Sequence, residues 1–363
     1  MAQMGTRPPL DDLAQPGQPF SRVELQQASR NRGMPLEAMG YDLTPSGLHY
    51  LLTHFDIPAV DPREWSLTIG GNVARTGAMT LDDLRSRPSQ TIPVTLECAG
   101  NGRTLMEPRA MTQPWLLEAI GTAEWTGTSL SNVLEEVGVQ PGTVEILFTG
   151  ADHGIQAGVE QDYQRSLPVE ESMRPEVMLV YEMNGRPLEP QHGFPLRLIV
   201  PGWYGMTSVK WLTRIEAVTT PFEGYQQAIA YHYQEHEDAP GDPVTRIRVR
   251  ALMIPPGVPD FPDRNRIVEE GMVVLKGRAW SGTGSVERVE VAIDGTWSDA
   301  TLEPPVGTWA WRGWSFRWDA LPGEHVLACR ATDANGNTQP ATGRWNLQGM
   351  GNNLIQELAV LVR

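Results

Sequence analysis

The chain reads as an α+β protein: a mixed α/β domain followed by an all-β sandwich of immunoglobulin type. Three observations predict this. A length of 363 residues exceeds what one typical core fills, so two domains are expected. Between about Trp65 and Val218, strand-like and helix-like runs mix without regular alternation, which points to α+β rather than a doubly wound sheet. After the Pro240–Pro256 stretch the pattern changes to strand-length runs with Gly, Pro and Asp turns between them.

In chain order, residues 1–42 form a polar, Pro-rich extension that is expected to wrap the surface or stay partly loose. Residues 43–243 are assigned to the first domain and 244–363 to the second. WSLTIGG from Trp65 reads as a strand, and MTLDDLRSR as a short helix with Thr80 as its N-cap. PVTLECAGNGR reads as a strand entering a glycine turn, and SLSNVLEEVGV as a helix stopped at Gly138. VEILFTG, RPEVMLVYEM, PLRLIVPG and SVKWLTRIEAV are further strands. In the second domain the expected strands are MVVLKGRAW, VERVEVAID, WSFRWDA, EHVLACRATD, GRWNLQG and LIQELAVLV.

Charge narrows the function classes. The formal charge is −15, against the clustered basic residues that phosphate backbones require, so no nucleic-acid partner is expected. An acidic surface is also repelled by anionic lipid, and it attracts a basic protein such as a cationic electron carrier. No run approaches the roughly 18–20 apolar residues of a bilayer span, so no membrane insertion is expected. The N-terminus has no apolar core and no Arg-Arg pair, so cytoplasm is the default compartment. A leader already removed leaves the same picture, with a periplasmic location. Arginine outnumbers lysine 27 to two, the lysines being Lys210 and Lys276. The two cysteines, Cys98 and Cys329, lie far apart in dissimilar contexts, which argues against a disulfide framework. Cys329 alternates within a strand and reads as a small core residue.

Cys98 ends an apolar strand and is followed by Ala99-Gly100-Asn101-Gly102-Arg103. Small residues let the backbone turn and leave room beside the sulfur. Arg103 brings a fixed cation, which favours the thiolate that a nucleophile or a soft metal ligand must be. On spacing alone, a buried structural cysteine and a functional one stand level.

Wider motifs separate them. TLECAGNGR resembles the molybdenum-cysteine motif of the sulfite oxidase family, and YEMNGRPLEPQHGFPLRLIVPGWYGMTSVKWLTRIEAV resembles its cofactor-binding stretch. TAEWTGTSLSNVL, TWAWRGWSF and WNLQGMGNN match as well, in the family's order, over roughly residues 43–363. Bacterial sulfane dehydrogenase subunits and the molybdenum domain of eukaryotic nitrate reductase share this architecture.

The resemblance implies a sulfite oxidase-type molybdopterin domain, an immunoglobulin-like dimerisation domain, and a homodimer. It implies one molybdopterin whose dithiolene holds a mononuclear molybdenum beside the Cys98 thiolate and oxo groups. By position, His54, Asp152, His192, Arg197, Ser208 and Lys210 hold the pterin and its phosphate. The phosphate dianion needs Arg, Lys and hydroxyl donors, and the pterin edge needs imidazole and carboxylate partners. Arg103 and Arg312 match the active-site arginines, the second reaching in from the sandwich. Tyr231 matches the active-site tyrosine, with Tyr233 as its rival, since both would face one side of an extended segment. Trp115 is expected to line the pocket.

One departure bears on substrate. Where the family carries an arginine in Phe-x-Arg-Asn-His, this chain reads Tyr50-Leu51-Leu52-Thr53-His54. Losing a charge-assisted hydrogen bond of about 1.5–3 kcal/mol weakens anion binding by about one to two decades, unless another cation compensates. Glu118, in place of a small residue near Trp115, is a second departure. The leading expectation is oxidation of sulfite to sulfate by oxo transfer, with electrons passed to an external acceptor such as a cytochrome c. No Cys-x-x-Cys-His haem site and no flavin module is visible in this sequence. The alternatives are another sulfur compound, reduction of an S-oxide, N-oxide or nitrate, and a non-catalytic scaffold.

Overall fold

The computed structural model describes residues 13–363, so the first twelve positions of the N-terminal extension lie outside the described residues. Two five-stranded sheets build the first domain. In one, Ser89–Glu97 pairs antiparallel with Ile120–Ser129, which pairs with Met178–Met183. Two short strands, Arg186–Pro187 and Arg197–Ile199, also pair with Met178–Met183. The other sheet runs Gly77–Met79, Leu67–Gly71, Leu212–Val218, Glu145–Gln156, Val159–Pro168. Its one parallel contact joins Leu212–Val218 to Leu67–Gly71.

Local signals in the sequence set the helices. Leu81–Arg85 begins at Thr80, whose hydroxyl accepts from the Asp83 backbone N–H while the Asp83 carboxylate accepts from that of Thr80. Leu130–Val137 stops at Gly138, which takes φ +70°, a left-handed conformation that costs glycine little. That helix buries Leu130, Val133, Leu134 and Val137 in one core with Leu67 and Ile69 of one sheet and Leu198 of the other.

The second domain packs a four-stranded sheet (Arg250–Met253, Gly271–Trp280, Arg312–Ala320, Thr301–Leu302) on a six-stranded one. Val291, Leu327 and Val360 from the larger sheet meet Ala251, Leu275 and Trp314 from the smaller. Cys329 is fully buried among them, and burial pushes its thiol up to about 12, as suits a packing residue. GRWNLQG is not a strand. It forms a loop whose polar groups turn toward the first domain: the Leu347 N–H donates to Gln234 O, and Gln348 O accepts from Arg103.

The described part of the N-terminal extension is not loose. Leu13–Ala14 pairs with Arg109–Ala110, and a helix spans Arg22–Arg30 under a Ser21/Glu24 capping box. Glu24, 1% exposed, also forms a buried ion pair with Arg109, so the helix is anchored by charge as well as by backbone. Met34 and Met39 enter a core with Ala99, Tyr204, Trp280 and Trp311, where the extension and both domains meet. Among the described residues, no helix is long and apolar enough to cross a membrane.

A buried carboxylate joins the domains. Glu97 Oε1 accepts from Asn101 Nδ2 and from Arg250 Nη1, both at 2.9 Å, and its Oε2 accepts from Trp280 Nε1 at 2.9 Å. Glu97 and Arg250 are 2% and 1% exposed, and leaving one buried charge of such a pair without its partner costs about 3–5 kcal/mol. Glu97→Ala should therefore lower unfolding stability by that amount, read from the urea midpoint at unchanged slope. A shift within error of zero would show that the joint contributes little.

Candidate active site

The turn after the strand Ser89–Glu97 places the cysteine. The Cys98 N–H donates to Ala119 O and the Asn101 N–H to Cys98 O, both at 2.9 Å. Asn101 Oδ1 accepts from the Ala119 N–H, so the asparagine closes the turn from both ends. Gly100 leaves room for an arginine rather than for the sulfur: a Cβ there would sit 2.6 Å from Arg103 Nη2. Gly349, at φ +60°, passes equally close to Arg103 Cγ. Arg103 is threaded between these glycines, its Nε donating to Gln348 O at 2.9 Å and its Nη1 to Gln113 O at 3.2 Å. Burial pushes the Cys98 thiol up, and the Arg103 guanidinium opposes that shift.

Two cavities meet at Cys98. The inner one, about 620 Å³ including open solvent, is lined by Asp152, His192, Arg197, Ser208 and Lys210. The outer funnel encloses about 1860 Å³ including open solvent, and Arg103 and Trp115 stand on its wall. Leu52, His54, Cys98 and Tyr231 face both.

Cations dominate the inner cavity. Arg197 donates to His192 O at 3.0 Å and Ser208 O at 3.2 Å, and it lies over the Trp125 ring. Burial pushes Arg197 down to about 10. Lys210 Nζ donates to Leu52 O at 2.8 Å and Gln191 O at 3.2 Å. Burial, then the Arg197 charge, lowers its affinity for its proton, while burial raises Asp152 against the pull of Lys210. The histidines stay neutral: burial pushes His192 down to about 2, His54 to about 3 and His49 to about 4. His49, missed from the sequence, packs edge-on to His192 with ring centres 5.7 Å apart.

Tyr231 and His54 Nε2 share a 2.8 Å hydrogen bond at the junction. The segment before Tyr231 is a π-helix, Gln226–Ala230, rather than extended chain, and the two tyrosines have different surroundings. Tyr231 faces the cavities, whereas Tyr233 lies in the strand pair His232–Tyr233 and Asp242–Pro243 under the Arg248 guanidinium. Arg165, also missed, lies 5.4 Å from the Tyr231 ring centre and donates to Gln226 O.

Arg312 is not brought to the site. It lies in the strand Arg312–Ala320, donates to Glu303 O at 2.8 Å and Val286 O at 3.0 Å, and lines neither cavity. Two of its N–H groups are spent on carbonyls of its own domain. Glu118 also lies off the funnel, its carboxylate accepting from the Leu117 N–H, so it places no charge before a substrate.

With this geometry in hand, comparison with known proteins defines the class. An oxidoreductase molybdopterin-binding domain matches residues 54–226, and a Mo-co oxidoreductase dimerisation domain matches residues 248–362. Mitochondrial sulfite oxidase of Mus musculus is 34% identical over 95% of this chain, and the chain spans 66% of that protein's length. Sulfite oxidase of Gallus gallus is 33% identical over 92% of this chain and 76% of its own. Nitrate reductase [NADH] 1 of Oryza sativa subsp. japonica is 34% identical over 86% of this chain but only 37% of its own. The crystal structure of the sulfane dehydrogenase SoxCD from Paracoccus pantotrophus superposes with a TM-score of 0.79 at 27% identity, covering 95% of this chain and 88% of that one. The chain belongs to the sulfite oxidase family of molybdopterin-dependent oxidoreductases, and its cofactor is molybdenum held by molybdopterin.

The residues present fit that cofactor. Among the described residues, Asp152 Oδ1 and Arg197 Nε are buried without a hydrogen-bond partner, a cost of about 1–3 kcal/mol each that a polar ligand would relieve. The surplus of cations around Lys210 suits a phosphate dianion.

The neutral histidines give the cofactor-free protein an acid-sensitive fold. Each has a folded pKa below the unfolded value of 6.5, so below that pH the unfolded chain binds protons the folded one refuses. Stability is full above about pH 6.5 and is lost as pH falls toward 4, at about 1.4 kcal/mol per pH unit for each histidine. A Tm measured across this range should fall, and less steeply in His49→Gln. A flat profile would contradict these shifts.

Proposed function

We propose that the chain oxidises sulfite to sulfate and passes the electrons to an external acceptor. The observation that supports this is the junction: one cavity for an organic cofactor and one open funnel meet at Cys98, beside Tyr231, His54 and Arg103. Cys98 would ligate the molybdenum, while Asp152, His192, Arg197, Ser208 and Lys210 would hold the pterin and its phosphate. When bound, the cofactor supplies two-electron redox chemistry and oxygen transfer.

The protein's own groups orient the anion and manage protons. Arg103 is fixed by two backbone carbonyls, so its charge faces an incoming oxyanion without reorganisation. Burial, aided by the nearby Cys98 sulfur, keeps the proton on Tyr231, which serves as a hydrogen-bond donor rather than a base at neutral pH. Neutral His54 holds the Tyr231 hydroxyl in place. Water enters by the funnel, gives its oxygen to sulfur, and leaves its protons to bulk solvent.

The acceptor is a basic one-electron carrier such as a cytochrome c, a choice supported by the net charge of −15. Assembly as a homodimer through residues 248–362 is supported by the matched dimerisation domain. Leu52 favours a second reading, in which the same centre acts on a less charged sulfur compound or reduces an S-oxide, N-oxide or nitrate.

Molybdenum-loaded protein should reduce ferricyanide or cytochrome c on adding sulfite. Cys98→Ser should abolish this, and Tyr231→Phe should lower kcat about a hundredfold. A fully loaded protein inert to sulfite overturns the assignment. Reoxidation of the chemically reduced protein by S-oxides, N-oxides or nitrate would then select the second reading.

A further inference from the structure

We infer that Arg30, on the N-terminal helix, is the second cation of the substrate-anion site and takes over the charge that Leu52 withholds. This rests on the reading of the outer funnel as the substrate entrance. Arg30 lines that funnel together with Leu52, Cys98 and Arg103.

Its position is built rather than incidental. Arg32 and Leu51 form an antiparallel bridge, each N–H donating to the other's carbonyl at 3.0 and 2.7 Å. That register carries Arg30 alongside the stretch from Leu52 to Phe55, and its Nη2 donates to Phe55 O. Asn31 ties the helix end to both walls. Its Oδ1 accepts from the Thr53 N–H at 2.8 Å, and its Nδ2 donates to Gln113 Oε1 at 2.9 Å. Gln113 O in turn accepts from Arg103. A continuous chain of hydrogen bonds thus registers Arg30 against Arg103, and the buried Glu24–Arg109 pair holds the helix from its other end.

The guanidinium is available to a ligand. Its side chain is 45% exposed, and its charged neighbour is Asp56 at 3.6 Å, whose side chain is fully exposed and whose attraction is therefore weak. No other hydrogen bond engages the Arg30 guanidinium among the described residues. Its charge reaches the junction, since it contributes to keeping His54 neutral. An oxyanion entering the funnel would meet both Arg30 and Arg103, which line it together with Leu52.

The test uses inorganic sulfate as the probe, titrated calorimetrically into the molybdenum-loaded protein, beside steady-state kinetics with sulfite. Arg30→Gln is expected to weaken sulfate about five- to tenfold and to raise KM for sulfite by the same factor, with kcat within about twofold. Arg30→Lys keeps the charge and should retain most of the affinity. Leu52→Arg added to Arg30→Gln should restore it. Asp56→Asn, outside the funnel, should tighten sulfate about twofold. Folded Arg30→Gln protein that matches the parent in both sulfate affinity and KM overturns the inference, as does a parent that binds no sulfate. Sulfate binding that needs Arg30 in a protein inert to sulfite sustains the anion site while removing sulfite as its substrate.

Discussion

The Glu97 carboxylate fixes the geometry on which the rest of the site depends. A buried carboxylate is stable only when its lone pairs are met, and here three donors from three parts of the chain meet them: Asn101, Arg250 and Trp280. Asn101 belongs to the turn that carries Cys98. Arg250 and Trp280 belong to the sandwich. The position of the thiol is thereby linked to the docking of the second domain, although no side chain of the sandwich strands lines either cavity. Asn352, in the late loop, reinforces the link by donating to Gly102 O at 2.7 Å.

Charge explains the inner cavity as packing explains the sandwich. Arg197 and Lys210 line the inner cavity and Arg165 lies against the Tyr231 ring, and each proton affinity is lowered mainly by burial. The three neighbouring histidines respond by staying neutral. An arrangement of this kind is poor as an empty cavity and good as a receptor for an anion, because the same low dielectric that penalises lone charges strengthens their pairing.

Much of the fold was legible because it rests on local chemistry. Thr80 and Gly138 mark helix ends through side-chain and backbone preferences that need no tertiary context. The strand before Cys98 shows in its apolar run, and the Cys98, Arg103 and Lys210 neighbourhoods carry recognisable motifs. What escaped depends on distant partners. Arg312 sits in a readable motif, yet its hydrogen bonds to Glu303 and Val286 carbonyls take it out of the site. GRWNLQG alternates like a strand but spends its backbone groups on Gln234 and Arg103. The helix bearing Arg30 did leave a signal, the Ser21-x-x-Glu24 capping box, in a segment whose proline content masked it. Glu97 left another, as the carboxylate interrupting an apolar strand one residue before the cysteine.

The central claim is that Cys98, at the meeting of the two cavities, is the protein's ligand to molybdenum. X-ray absorption at the molybdenum edge tests it most directly, comparing the loaded protein with Cys98→Ser loaded in the same host. The account predicts one fewer sulfur around the metal in the variant, with the dithiolene sulfurs retained. An unchanged sulfur count, with molybdenum still bound, would contradict it.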